Sequence, residues 1–408
     1  MKNFFTTLLA FLLFTQVFAQ DTTKVLFIGN SYTSQNDLPN LFKMLAQGAG
    51  KNVVVDSYMP GGVSVGDTAQ GTMAHMNNPA VFAIINSNKW DYVMLQDNQG
   101  RFCLGYKHFP ASSYVIAGHK KIRDSVLFNN HCAHMIWYAG FGPKAGYPPY
   151  GNTGEALIDS IYHNYQYLHD TLGQILAPIG PAFNRIINGY PNIDLWFSDG
   201  VHPSLYGSYL IACEVYTTIF KSSPIVSTYN PGISSSEDSL MKNTGYATTI
   251  DSLNSNGLSS ITPTINHTGN TLKVTGYSNV VWYFNGTVHA SANGITTINQ
   301  AGKYYAVVTD NFGCQFKTLE QTYGLVGIEN IAEGEIVLYP NPADEAIVVK
   351  AKDIESITII NALGEVFFLE KDLSEATQIP VKDWREGLYF LALKNKEQKR
   401  FEKLMVKH

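Results

Sequence analysis

The stretch Val25-Leu26-Phe27-Ile28-Gly29-Asn30-Ser31-Tyr32-Thr33 constrains the fold more than any other in this chain. Its uninterrupted apolar run reads as a core strand with no wet face, the pattern of a parallel sheet covered on both sides. The Gly-Asn-Ser turn that follows places Ser31 at the carboxyl end of that strand, where open α/β sheets hold ligands. Far downstream, Ser198-Asp199-Gly200-Val201-His202-Pro203 supplies an acid and an imidazole three residues apart.

The pattern between these stretches is that of an α/β domain. Residues 25–28, 53–56, 92–95, 135–138 and 175–179 read as short apolar strands, the last of which can also be read as a helix end. Between them, 39–47, 67–86, 112–128 and 154–172 read as helices, and Leu157, Ile161, Tyr165, Leu168 and Leu172 form one apolar stripe on the last. Such βαβα alternation predicts a parallel sheet with helices on both faces. A further helix is expected over 204–221, and another after Ser234, where Ser234 and Glu237 have capping-box spacing.

With 408 residues, 45% of them hydrophobic, the chain is long enough for two or three cores. Its net charge is -5, from 28 Lys and Arg against 33 Asp and Glu with no basic run, which argues against a nucleic-acid partner. The amino terminus reads as an export signal over residues 1–19, with Lys2 as the charged region, 4–14 as the apolar one and Val17-Phe18-Ala19 as the cleavage site. The apolar run is shorter than the roughly 18 residues of a membrane span, and no transmembrane segment is expected in the mature chain. Four cysteines are few for a disulfide framework; Cys103 with Cys132 is the candidate bridge, which spacing alone does not establish.

The α/β domain is expected over 20–253, followed by a Ser, Asn, Gly and Thr-rich linker over 254–264. Residues 265–325 change to short alternating strands, with Asn285-Gly286 as a hairpin signal, and predict a small β-sandwich. Through Trp282-Tyr283, Gly302-Lys303-Tyr304 and Asn311-Phe312-Gly313-Cys314 this unit resembles the Ig-like modules of secreted bacterial proteins. Residues 335–408 form a third, strand-rich unit. Its segments 337–343, 357–364 and 386–390 and its basic last strand over 403–407 resemble the carboxy-terminal sorting domain of the type IX (Por) secretion system. That resemblance implies the type IX machinery as a partner and export through the inner and outer membranes, ending in release or surface attachment.

A serine hydroxyl is a poor nucleophile until a base takes its proton. Here His202 is the candidate base, and Asp199 is close enough in sequence to hold the imidazole tautomer. Acyl transfer also needs donors for the developing oxyanion. Three present themselves after successive strands: the Ser31 N–H, a glycine N–H from Pro60-Gly61-Gly62-Val63-Ser64, and the side-chain amide of Asn98.

Taken together these segments resemble the SGNH (GDSL-like) hydrolases, whose four blocks supply Ser, Gly, Asn and His in that order. The resemblance covers about 24–253 and maps the nucleophile to Ser31, the glycine block to Gly62 with Gly66 as competitor, the oxyanion amide to Asn98, and the last block to Asp199 and His202. It implies a three-layer α/β/α hydrolase domain, followed here by two small all-β sandwich domains. Two positions depart from the family pattern: Asn30 replaces the usual Asp, and Gln96 stands where block three usually has Gly and is a second candidate amide donor.

The expectation is therefore an exported serine ester hydrolase acting through an acyl-enzyme, with no cofactor and no metal. Its expected substrate is an acetylated glycan, through family resemblance and the accessory module; a lipid or aryl esterase, or a non-catalytic glycan-binding surface protein, are the alternatives. His119, His131, Cys132 and His134 lack zinc-site spacing, and 140–144 lacks a phosphate-loop pattern. Tyr147 to Tyr150 is a candidate wall of the active-site mouth. Trp282 is a candidate sugar contact if exposed and a core residue if not.

Overall fold

The computed structural model describes residues 22–103, 113–147, 154–291, 294–323, 336–351, 355–361, 366–371, 376–394 and 399–408. The expected signal peptide, Ser112 at the head of one expected helix, residues 148–150 of the tyrosine-rich stretch and residues 362–364 of the third unit lie outside them. The chain forms two compact units, 1–323 and 324–408.

A five-stranded parallel sheet centres the first unit. Its strands are β1 (Thr23–Ile28), β2 (Val53–Tyr58), β3 (Tyr92–Leu95), β4 (His134–Tyr138) and β5 (Ile175–Ala177), in the order β2-β1-β3-β4-β5. The apolar run of β1 divides by parity, as a pleated strand must. Val25 and Phe27 pack into one core with α2 (Leu38–Gly48), α7 (Ile179–Gly189) and α8 (Leu205–Phe220); Leu26 and Ile28 pack into the other with α3 (Pro79–Asn86), α5 (Ser113–Asn129) and α6 (Gly154–Leu172). All four β1 side chains are inaccessible to solvent. Each such burial stabilises the fold by about 1.5–3 kcal/mol. Two four-residue helices, α1 (Ser31–Ser34) and α4 (Gln99–Phe102), follow β1 and β3, and α9 (Ser235–Asp251) packs on α8. The capping box at its start is present: Ser234 and Glu237 each bond the other's backbone.

Two expected elements differ. The helix read over 67–86 is broken: 3-10 turns occupy Thr68–Met73 and His75–Asn77, and the helix proper begins at Pro79. Gly71 sits at φ +55°, which ends the first turn, and Pro79 suits only a new helix start. The strand read over 175–179 stops at Ala177, and α7 begins two residues on. Its stripe Ile179, Ala182, Phe183, Ile186 was hidden by the continuity of the apolar run.

Beyond α9, residues 254–264 are packed rather than free: Asn256 and Leu258 are buried, and Asn256 O accepts the Leu176 N–H at 2.8 Å. In the β-sandwich that follows, β6 (Asn266–Thr268), β7 (Thr271–Lys273) and β10 (Ile295–Thr297) form one sheet in the order β10-β7-β6. The other contains β8 (Asn279–Phe284), β9 (Thr287–Ser291), β11 (Gly302–Thr309) and β12 (Gln315–Lys317) in the order β12-β11-β8-β9, with β13 (Gln321–Tyr323) on β11. Asn285-Gly286 turns the β8–β9 hairpin with both residues at positive φ, the backbone that a two-residue hairpin requires. Trp282 is fully buried in the sandwich core, which removes it as a sugar contact.

The cysteine pairing also differs from expectation. Cys132 bonds Cys314 of the sandwich, while Cys103 is buried and free, as is Cys213. Around this bridge Lys317 Nζ donates to Phe220 O at 3.0 Å, the Glu320 N–H to Lys221 O at 3.2 Å, and Lys221 Nζ to Ile261 O at 2.9 Å. Burial pulls the ammonium groups of Lys221 and Lys317 down to about 7. These contacts lie just before β4 and at the end of α8, hence at the amino-terminal end of the sheet. The 16-residue helix α8 separates them from its own start by about 24 Å.

The second unit is antiparallel. One sheet pairs β14 (Ile336–Tyr339), β15 (Ala346–Ala351) and β18 (Ala376–Pro380) in that order; in the other, β16 (Ser356–Asn361), β17 (Val366–Lys371), β19 (Gly387–Lys394) and β20 (Lys399–Val406) lie in the order β17-β16-β19-β20. Ile347, Val349, Ile357, Ile359, Leu391 and Leu393 fill its core by simple alternation. Among the described residues no helix is long and apolar enough to cross a membrane.

Candidate active site

Every expected site residue follows a strand or precedes α8 at the carboxyl end of the parallel sheet. Ser31 opens α1 immediately after β1. Asn30 caps that helix, its Oδ1 accepting the Tyr32 N–H at 3.1 Å, and its Nδ2 donates to Val63 O at 2.9 Å. An aspartate could cap the helix but could not donate to Val63, so the departure at this position gives a bond between the serine turn and the glycine loop.

Asp199 and His202 lie on a tight loop from Leu195 to Ser204. Trp196 bridges Pro203, the Phe197 N–H donates to His202 O at 2.8 Å, and Gly200 takes φ +67° at the tip. Asp199 divides its carboxylate between two tasks. Oδ1 accepts the N–H groups of Val201 (2.8 Å) and His202 (3.0 Å), closing the loop, and Oδ2 accepts from His202 Nδ1 at 2.7 Å. His202 Nε2 then lies 2.9 Å from Ser31 Oγ, across a sequence separation of 171. The bond to His202, followed by those to the loop N–H groups, holds the Asp199 carboxyl down to about 2. It therefore stays ionised through any ordinary pH, which fixes Nδ1 as the protonated nitrogen and leaves Nε2 to accept from the serine.

Residues that sequence reasoning missed hold this geometry. The Asn36 side chain donates to Pro203 O at 3.0 Å and Ser208 Oγ at 2.9 Å, tying the serine segment to the histidine loop. Asn36 itself sits at φ 55°, a conformation asparagine tolerates better than most residues. The Tyr32 ring lies 5.5 Å from the His202 ring and 5.5 Å from Phe141. Lys144 N–H donates to Gly200 O at 2.8 Å, linking the loop after β4 to the acid's turn. No sequence pattern marks these contacts; only the junction of distant loops creates them.

The candidate oxyanion donors separate by packing. Gly62 is exposed at φ +72° with no described residue within 4 Å of its Cβ position, whereas Gly66 is buried so closely under α5 that an added Cβ would lie 1.9 Å from Tyr114 O. Among the described residues the N–H groups of Ser31 and Gly62 have no hydrogen-bond acceptor. Asn98 uses Oδ1 to accept the Gly100 N–H at 3.0 Å and caps α4. Gln96 is not a spare donor. It is fully buried, its Oε1 accepts from Asn30 N at 2.8 Å and Thr33 Oγ1 at 3.0 Å, and its Nε2 donates to Asp97 O. Tyr147 approaches the start of α4, with its hydroxyl 3.7 Å from the position of a Cβ on Gly100.

The histidines considered as ligands are otherwise engaged. His119 Nδ1 donates to Val115 O at 2.8 Å inside the core, and burial lowers His134 to about 4. His131 meets Cys132 and Cys314, the one group with ligand atoms in mutual reach among the described residues, but both sulfurs are in the disulfide.

No curated protein matches this sequence. Among solved structures, a DUF4886 family protein from Bacteroides uniformis is 18% identical, with 56% of this chain and 95% of that one covered and a TM-score of 0.47. A family 3 carbohydrate esterase from Talaromyces cellulolyticus is 16% identical over 49% of this chain and 97% of its own, TM-score 0.34. A carbohydrate acetylesterase from Sinorhizobium meliloti is 13% identical over 48% and 98%, TM-score 0.34. Residues 337–407 match the family of secretion system C-terminal sorting domains, so the carboxy-terminal unit is a sorting domain and the chain is exported by the type IX system to the cell surface or the outside.

Proposed function

We propose that the first unit is a serine ester hydrolase with Ser31 as nucleophile, His202 as general base and acid, and Asp199 as the group that orients His202. The observation that carries this reading is the relay from Ser31 Oγ through both ring nitrogens of His202 to Asp199 Oδ2, at 2.9 and 2.7 Å. As Oγ attacks the ester carbonyl, Nε2 takes its proton and the new positive charge lies against the ionised Asp199. The N–H groups of Ser31 and Gly62 and the amide of Asn98 receive the oxyanion. His202 then protonates the leaving alcohol, and a water activated by the same nitrogen releases the acid.

For substrate we propose an O-acetylated carbohydrate. Support comes from the sequence resemblance to SGNH hydrolases and from export to a compartment where polymeric glycans are met. The sandwich lies at the far end of the sheet from Ser31, so it leaves the mouth of the site open to a polymer, and we assign it a bracing role. Acetate release from acetylated xylan and from p-nitrophenyl acetate, compared with p-nitrophenyl esters of longer acids, tests the assignment. Release from both acetyl substrates, lost in Ser31→Ala, is expected. Preference for long acyl chains would replace it by a lipid esterase, and failure on every ester would favour the non-catalytic reading.

A further inference from the structure

Beneath the nucleophile lie two buried polar side chains that the relay does not use. Asp97 is fully buried between β3 and α4, and its Oδ1 accepts two backbone N–H groups, from Val65 and from Asn98, both at 2.7 Å. His75, also fully buried, donates from Nε2 to Gly29 O at 2.9 Å, two residues before Ser31. The backbone around His75 is itself bonded to the glycine loop: the His75 N–H donates to Ser64 O at 3.0 Å and the Met76 N–H to Val65 O at 2.9 Å. Two side chains thus join the three loops that carry Ser31, Gly62 and Asn98.

The arrangement is a costly way to hold loops for stability alone. Removing a carboxylate from water costs several kcal/mol, and apolar replacements of buried charged groups are often neutral or stabilising. Here Asp97 Oδ2 and His75 Nδ1 are buried with no partner among the described residues. Burial lowers the His75 pKa, while its bond to Gly29 and the nearby Asp97 act the other way. A neutral ring with its proton on Nε2 is the form that the bond to the Gly29 carbonyl selects.

We propose that Asp97 and His75 are positioning residues of the active site, fixing the Gly62 and Asn98 oxyanion donors and the Ser31 turn to one another through Asp97 Oδ1 and His75 Nε2. This rests on the esterase reading for its catalytic part. The structural part is measurable without turnover, because the Val65 and Asn98 amides both donate to Asp97 Oδ1 and should exchange faster when that acceptor is removed.

The test uses the full exported chain with Asp97→Ala, Asp97→Asn, His75→Ala and His75→Gln. Asparagine keeps an oxygen for both N–H groups, and glutamine keeps a donor near the position of Nε2. Displacement of catalytic groups by about 1 Å costs about 10²-fold in rate. The expected result is therefore a fall of about 10²-fold in kcat on p-nitrophenyl acetate for Asp97→Ala, with KM within about threefold, and at least tenfold faster exchange at Val65 and Asn98. Asp97→Asn should recover most of both. His75→Ala should lower kcat in the same manner and His75→Gln restore it; this pair decides the matter if Asp97→Ala does not fold. A folded Asp97→Ala with unchanged kcat and exchange, or alanine and amide variants alike at both positions, would overturn the proposal. A wild-type chain without esterase activity would sink the esterase reading instead, leaving exchange at Val65 and Asn98 to decide the brace.

Discussion

Replacing Asp199 by asparagine separates the two tasks of its carboxylate. The Oδ1 bonds to Val201 and His202 that close the loop survive the change, since an amide oxygen accepts as a carboxylate does. The other position becomes an NH₂ group, which donates to His202 Nδ1 and forces the ring proton onto Nε2. That nitrogen then faces Ser31 Oγ at 2.9 Å as a donor and cannot take the serine proton. The wrong tautomer in a serine triad lowers kcat by about 10⁴-fold. The Asp199 side chain is 40% exposed, so water screens the charge it offers the imidazolium, and we expect a smaller fall here, about 10³-fold or ~4 kcal/mol. Turnover of p-nitrophenyl acetate by wild type and Asp199→Asn, with circular dichroism to establish folding, measures it. More than a tenth of wild-type kcat in the folded variant would refute the tautomer argument. The same carboxyl fixes a pH behaviour. Its pKa is lowered on folding, so the stability it contributes is present above the unfolded value of about 4 and is lost as pH falls through about 2.

Three further outcomes are expected. Glu214, fully buried in α8 with neither carboxylate oxygen partnered among the described residues, has its pKa raised by burial, so folding takes up a proton and stability falls as pH rises above the ordinary carboxylate range. Glu214→Gln should flatten that dependence and stabilise by about 1–3 kcal/mol at pH 8 in denaturant unfolding, and an unchanged pH slope would contradict it. Replacing Cys132 and Cys314 by serine should cost about 2–5 kcal/mol of stability in thermal or denaturant unfolding, yet leave kcat on p-nitrophenyl acetate unchanged because the bridge lies at the far end of the sheet. Gly61→Ala should be neutral, since no described residue lies within 4 Å of its Cβ position, whereas Gly66→Ala should lower the melting temperature through overpacking worth about 1–3 kcal/mol or more against α5.

What the sequence made legible was governed by local rules. The parity of Val25 to Ile28, the stripe from Leu157 to Leu172, the box at Ser234 and the turn at Asn285-Gly286 each depend on neighbours a few residues away. Ser31, Asp199 and His202 stood out because each ends or follows such an element and their chemistry is distinctive. The rest depends on contacts across the chain. Cys132 pairs with Cys314 at a separation of 182, which no spacing rule reaches. Gln96 was read as a donor because its amide chemistry allows it, but burial against Asn30 and Thr33 engages that amide. Asp97, His75 and Asn36 are ordinary residues until three loops meet around them. The glycine block maps to Gly62 with Gly66 as competitor, and the close approach of α5 to Gly66 is what no local pattern shows.

Mass-spectrometric mapping of the adduct formed by a fluorophosphonate probe tests the central claim most directly. One modified site is expected, Ser31, with labelling abolished in Ser31→Ala and strongly slowed in a folded His202→Ala. An adduct on another serine, or a Ser31→Ala chain labelled as fast as wild type, would contradict it.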